Sequence, residues 1–140
     1  MTTQVSYVKT HQIAGDHVTI DLPSRAAELR ALLPGHGRRS ETVYKEAGLT
    51  LVLIALEPND TIPPHAAGGS TTVHVLEGAV TLTAGGASAD LGAGQIAAFG
   101  PGVTHDVHAH EESLLLLTVA AIAEDRRSED TIPPRGPAEA

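Results

Sequence analysis

A chain of 140 residues with 41% hydrophobic and 19% charged side chains can bury one core and is too short for two. A net charge of -8 and an aromatic content of 2% exclude the basic, aromatic-studded surface that nucleic acids require. The absence of cysteine excludes a disulfide framework, a thiol nucleophile and any thiolate metal site.

No apolar run reaches the roughly 18 residues of a membrane span. The opening MTTQVSYVKT lacks the basic start and apolar centre of a secretion signal. A cytoplasmic protein that engages neither membrane nor nucleic acid is the expectation.

In chain order, residues 5–8 and 17–20 are predicted short strands. A helix is predicted over 24–33, capped by Ser24, carried by Ala26, Leu29, Ala31 and Leu32, and ended by Pro34-Gly35. GHGRR at 35–39 is read as a flexible basic loop. From Glu41 the pattern changes to short strands: 41–46, 49–56, 61–65, 71–77, 79–83, 88–91, 95–99, 104–109 and 113–119. Turn sequences such as EPND, AAGGS, AGGA and GPG separate them. Many short strands with no helix between them imply an antiparallel sandwich or barrel. Residues 122–140, charged and proline-rich, are expected to form a mobile tail. The word DTIPP at 130–134 repeats 60–64 and is too short to signal a repeat architecture. The organisation predicted is therefore N-terminal strands and a short helix (1–40) packed on a barrel (41–121), then the tail (122–140).

The charges are unevenly spread. Between Lys45 and Arg126 there is no Lys or Arg, while Glu57, Asp60, Glu77, Asp90, Asp106, Glu111 and Glu112 fall there. Carboxylate and phosphate ligands are usually clamped by Arg or Lys. A pocket built from this segment offers an anion only imidazoles, hydroxyls and backbone N–H groups, which favours a neutral, apolar or cationic ligand.

Two segments carry the chemistry. The first, from Asn59 to Gly78, reads NDTIPPHAAGGSTTVHVLEG, with His65 and Gly78 as its fixed points. The second, from Gly94 to Ala109, reads GQIAAFGPGVTHDVHA, with Gly94, Gly102 and His105 as its own. Together they resemble the paired signature motifs of the cupin superfamily. There the first motif runs Gly, five residues, His-x-His, three or four residues, Glu, six residues, Gly. The second runs Gly, five residues, Pro-x-Gly, two residues, His, three residues, Asn. Gly100 stands at the position of the Pro and Ala109 at that of the Asn. The resemblance covers about residues 41–120 and implies an all-β double-stranded β-helix, the jelly-roll barrel.

The resemblance also implies where a divalent transition metal would sit: on the two His and the Glu of the first motif and the His of the second. His65 and His105 match. Ala67 replaces the second His and Thr71 (or Thr72) the Glu, and neither is a ligand for such an ion. His74 is the candidate replacement. Strand alternation turns it away from the interior if Thr71, Val73 and Val75 face inward, and a bulge near 68–70 reverses that. A His65, His74 and His105 site suits zinc, iron, nickel or copper. By the same alternation Val107 and Ala109 share the face of His105, and His108 and His110 form an exposed pair on the other.

Three functions follow as expectations. One is binding of a small neutral or apolar ligand by a pocket of Ala67, Thr71, Val73, Val75 and Val107, with weak or no metal. Another is a metal-dependent small-molecule enzyme of dioxygenase, isomerase or decarboxylase type on His65, His105 and His74. The last is a homodimeric scaffold joined through 49–56 and 114–119.

Overall fold

The computed structural model describes residues 13–120. The predicted strand at 5–8 and the tail at 122–140 lie outside the described residues. The first element is a helix, α1 (Leu22–Leu32), followed by nine strands. These are β1 (Arg39–Glu46), β2 (Leu49–Leu56), β3 (Thr61–His65), β4 (Ser70–Glu77), β5 (Ala79–Ala84), β6 (Ala87–Gly92), β7 (Ile96–Phe99), β8 (His105–Ala109) and β9 (Ser113–Ala120).

All neighbours pair antiparallel, in a five-stranded sheet ordered β1-β2-β9-β4-β7 and a four-stranded sheet ordered β3-β8-β5-β6. The two sheets close over one core, as expected of an all-β jelly-roll. Period-two alternation supplies it. On β4, Thr71, Val73 and Val75 are buried between half-exposed neighbours. Val73, Leu115 and Leu117 from the larger sheet meet Val80, Leu82 and Val107 from the smaller. Burying each such side chain stabilises the fold by about 1.5–3 kcal/mol.

A second apolar layer lies outside the larger sheet. The residues of β2 that point away from the barrel, Leu53 and Ala55, pack with Val43 and Leu114 beneath Ala26, Leu29 and Leu33 of the helix segment. Both faces of β2 are thus covered at its C-terminal end. Half of β9 is likewise buried, while 49–52, Leu116 and 118–120 are half-buried. The exposed large apolar side chains among the described residues are Ile13, Leu32 and Ile96.

Three N-terminal expectations need correction. The helix begins two residues earlier than predicted, because Asp21 rather than Ser24 is its cap: the Asp21 carboxylate accepts the Ser24 N–H at 3.3 Å, and Pro23 sits in the first turn, where its missing N–H costs nothing. Residues 17–20 are not a strand. Their alternating sequence finds no ladder partner, and Ile20 packs instead against the helix–sheet layer. GHGRR is not a free loop: Arg39 opens β1 and Arg38 is tied to β3.

Ion pairs fasten the helix. Arg25 is buried and pairs with Glu41 of β1, while Arg30 pairs with Glu77 and, at 3.5 Å, with Glu112. Glu77 is exposed and still engaged. Gly78, which ends the first motif, has φ +97°, and a Cβ there would lie 2.2 Å from the Ser113 hydroxyl and 2.6 Å from the Glu112 carbonyl. That hydroxyl accepts the Ala79 N–H at 3.2 Å, so the turn fits closely only with glycine.

Candidate functional site

His65 ends β3 and His105 opens β8, and the two residues are directly paired in the ladder. Their rings lie 4.2 Å apart between centroids, tilted by 58°. Phe99 of β7 packs on the other side of His105 at 4.4 Å. Each imidazole is held by the backbone two residues before it. His65 Nδ1 donates to the Pro63 carbonyl and His105 Nδ1 to the Val103 carbonyl, both at 3.0 Å. A carbonyl can only accept, so Nδ1 carries the proton and Nε2 of each neutral ring is left with its lone pair.

His105 is only 2% exposed, and its Nε2 is buried with no hydrogen-bond partner. Burial holds this imidazole below its usual value of 6.5, reinforced by the nearby His65 and opposed by the Val103 carbonyl and Asp106. The ring is therefore neutral at pH 7. It presents one unmet acceptor, a group that costs free energy until a donor reaches it.

Both histidines line a cavity of about 340 Å³, near the lower end of the ~300–1,000 Å³ typical of small-molecule sites. Its apolar wall comes from both sheets: Val52 and Ile54 of β2, Leu115 and Leu117 of β9, and Val73 and Val107. Ile62, Pro63 and Pro64 form the lip on β3, and Arg38 and Ser40 close the side nearest β1.

Of the pocket residues expected from sequence, Val73 and Val107 stand on this wall. Ala67, Thr71 and Val75 do not; they are buried in packing. Thr71 turns its hydroxyl onto the Gly69 carbonyl at 3.3 Å, and the Ala67 carbonyl accepts the Gly102 N–H at 2.8 Å, tying the two motif loops together. Val75 belongs to the barrel core. His74 is not a third member of the site. It pairs in register with Ile96 and Leu116 on the opposite face of β4, as alternation requires when Thr71, Val73 and Val75 are inside.

The metal reading fails on its donors. The family pattern uses four, and His65 and His105 are two. Among the described residues no group of three or more His, Cys, Asp or Glu is placed to hold an ion. Ala67 has no side-chain donor, and the Thr71 hydroxyl is a poor ligand for such an ion and does not line the cavity. The described residues do not fit a resident metal centre of that kind, and the site's chemistry is that of two paired imidazoles in an apolar cavity.

On the far side of the smaller sheet, His108 and His110 stand 5.1 Å apart, with His110 Nε2 2.6 Å from the Thr81 hydroxyl, which donates to Asp90. These residues belong to an outer polar face and do not reach the cavity. The lining residues that sequence reasoning missed are Arg38, Ser40, the lip residues Ile62, Pro63 and Pro64, and the apolar residues of β2 and β9. Strand alternation on β2 and β9 carried a signal for the apolar ones. Nothing local announced Arg38, which reaches the cavity by an interaction 23 residues away in sequence.

Among the described residues no helix is long and apolar enough to cross a membrane. Comparison with known proteins gives a consistent account. The family model described as the cupin domain matches residues 52–120. No curated protein matches the chain. Among solved structures, a protein of Thermus thermophilus is similar at 26% identity and TM-score 0.61, over 73% of this chain and 96% of that one. An RmlC-like cupin from Shewanella frigidimarina is similar at 24% identity and TM-score 0.59, over 66% and 83% of the two chains. A cupin superfamily protein from Desulfitobacterium hafniense reaches TM-score 0.60 at 12% identity, over 79% and 95%. With the motif glycines, the paired histidines and the two-sheet barrel already in place, these matches identify the chain as a small member of the cupin superfamily.

Proposed function

We propose that this protein is a binding barrel for a small, mostly apolar molecule that donates one hydrogen bond to the imidazole pair. The observation that carries this reading is the unpartnered Nε2 of His105, buried at the wall of a largely apolar cavity of about 340 Å³. Apolar burial supplies the affinity, at about 25 cal/mol per Å² removed from water. A hydroxyl or N–H on the ligand meets the acceptor that the fold leaves unmet and so orients the molecule. The neutral form of His105 is the accepting form, and its depressed pKa keeps it available at neutral pH.

The test is a fragment screen with small alcohols, amides and phenols, read by long-range 1H–15N spectra of the imidazoles. Binders are expected to move the His65 and His105 resonances and leave His108 and His110 in place. Binders that move only the outer pair, or no binder at all, would overturn the reading.

A further inference from the structure

Among the described residues, Arg38 is the one permanently charged side chain on the cavity wall, and no acid accompanies it there. It comes from the segment before β1. It is held in place by a hydrogen bond from its guanidinium to the Thr61 carbonyl at 3.0 Å, at the start of the lip strand. The other arginines near it are spoken for: Arg25 pairs with Glu41, Arg30 with Glu77 and Glu112, and Arg39 donates to the Leu32 carbonyl. Arg38 makes no ion pair among the described residues. Asp60, which directly precedes the lip strand, holds one carboxylate oxygen on the Glu57 N–H at 2.8 Å, and its other oxygen lies beside Gly37 without pairing with the guanidinium. A tethered guanidinium with most of its donors unused, at the edge of an apolar cavity, has the form of a carboxylate clamp.

The position of the histidines fixes which way such a ligand lies. Both imidazoles spend Nδ1–H on backbone carbonyls, so in their neutral form the bare Nε2 atoms repel a carboxylate and attract a donor. Thr61, where the guanidinium is tethered, is four residues from His65 along β3, about 13 Å for an extended strand. The cavity therefore has an anion-accepting end at Arg38, an apolar middle, and a hydrogen-bond-accepting end at His105.

We infer that the ligand of this barrel is a small organic acid with an apolar body, its carboxylate on Arg38 and its body against the β2 and β9 side chains. This rests on the binding-barrel reading and narrows it. It also reverses the expectation of a neutral or apolar ligand. That expectation rested on the missing Lys and Arg of the central segment, and the fold imports an arginine from outside it.

Hexanoate, hexanamide and 1-hexanol, each carrying a 6-hydroxyl as the donor for His105 Nε2, share a carbon skeleton and differ at the Arg38 end, and their affinities can be compared by titration calorimetry on the full chain at low salt. Hexanoate is expected to bind roughly tenfold more tightly than the amide, with the difference shrinking as ionic strength rises because the clamp is exposed. Arg38→Gln is expected to bring hexanoate affinity down to that of the amide and so abolish the preference, and Arg38→Lys to keep part of it. If the amide or alcohol binds the native chain as well as hexanoate does, or the preference survives in Arg38→Gln, the acid assignment is overturned and the binding barrel stands. If none of the three binds, both fall.

Discussion

At the residue scale the site turns on one imidazole. His105 is kept neutral chiefly by burial, so its folded-state pKa lies below the unfolded value of 6.5. As pH falls through about 6.5 the unfolded chain takes up a proton that the folded ring still refuses, and stability declines. Above that pH the ring is neutral in both states and its contribution is flat. The decline ends once the folded ring also protonates. Thermal melts of the native chain and of His105→Gln across pH 5 to 8 should therefore differ in slope below about 6.5 and run parallel above it. Equal slopes throughout would mean that the ring is not desolvated.

Elements are joined by contacts whose cost on removal is legible. Arg25 and Glu41 form a pair that is 5% and 17% exposed, fixing the helix to the first strand. Glu41→Gln leaves a buried guanidinium without its counter-charge and is expected to lower stability by about 2–4 kcal/mol in urea unfolding. Arg25→Met, which removes the charge and keeps the packing, should cost less. Similar destabilisation by both would show that packing and not charge holds the helix.

The strands from 41 to 120 were legible because each local signal agreed with the next. Turn residues bound every strand, and alternation on β4 and β8 set which residues face inward. The motif frame then brought His65 and His105 to one end of the barrel, where their rings meet. Residues 17–20 alternate just as well, yet they gain nothing by extending because no strand edge takes them up. Arg38 was illegible for a different reason. Counting charges within a segment assumes that they act there, whereas a long flexible side chain acts wherever its chain neighbours are carried.

At the scale of the whole molecule, the barrel retains the container of its family and two imidazoles of the usual donor set. Purified without a polyhistidine tag, the protein is expected to hold well under one equivalent of zinc, iron, nickel or copper by elemental analysis. Near-stoichiometric metal would show that donors from beyond residues 13–120, or from a second copy, complete the centre.

The pair of prolines on the cavity lip has a bearing beyond the cavity. β3 is an outer strand of its sheet, and Pro63 and Pro64 remove two successive N–H groups from it. Successive N–H groups of a strand point to opposite sides, so one of the two is missing from the outer border, which weakens the pairing of an added strand there. The residues that frame the doorway thus also guard against fibre-like stacking, and replacing both should make the protein more prone to aggregate even where binding survives.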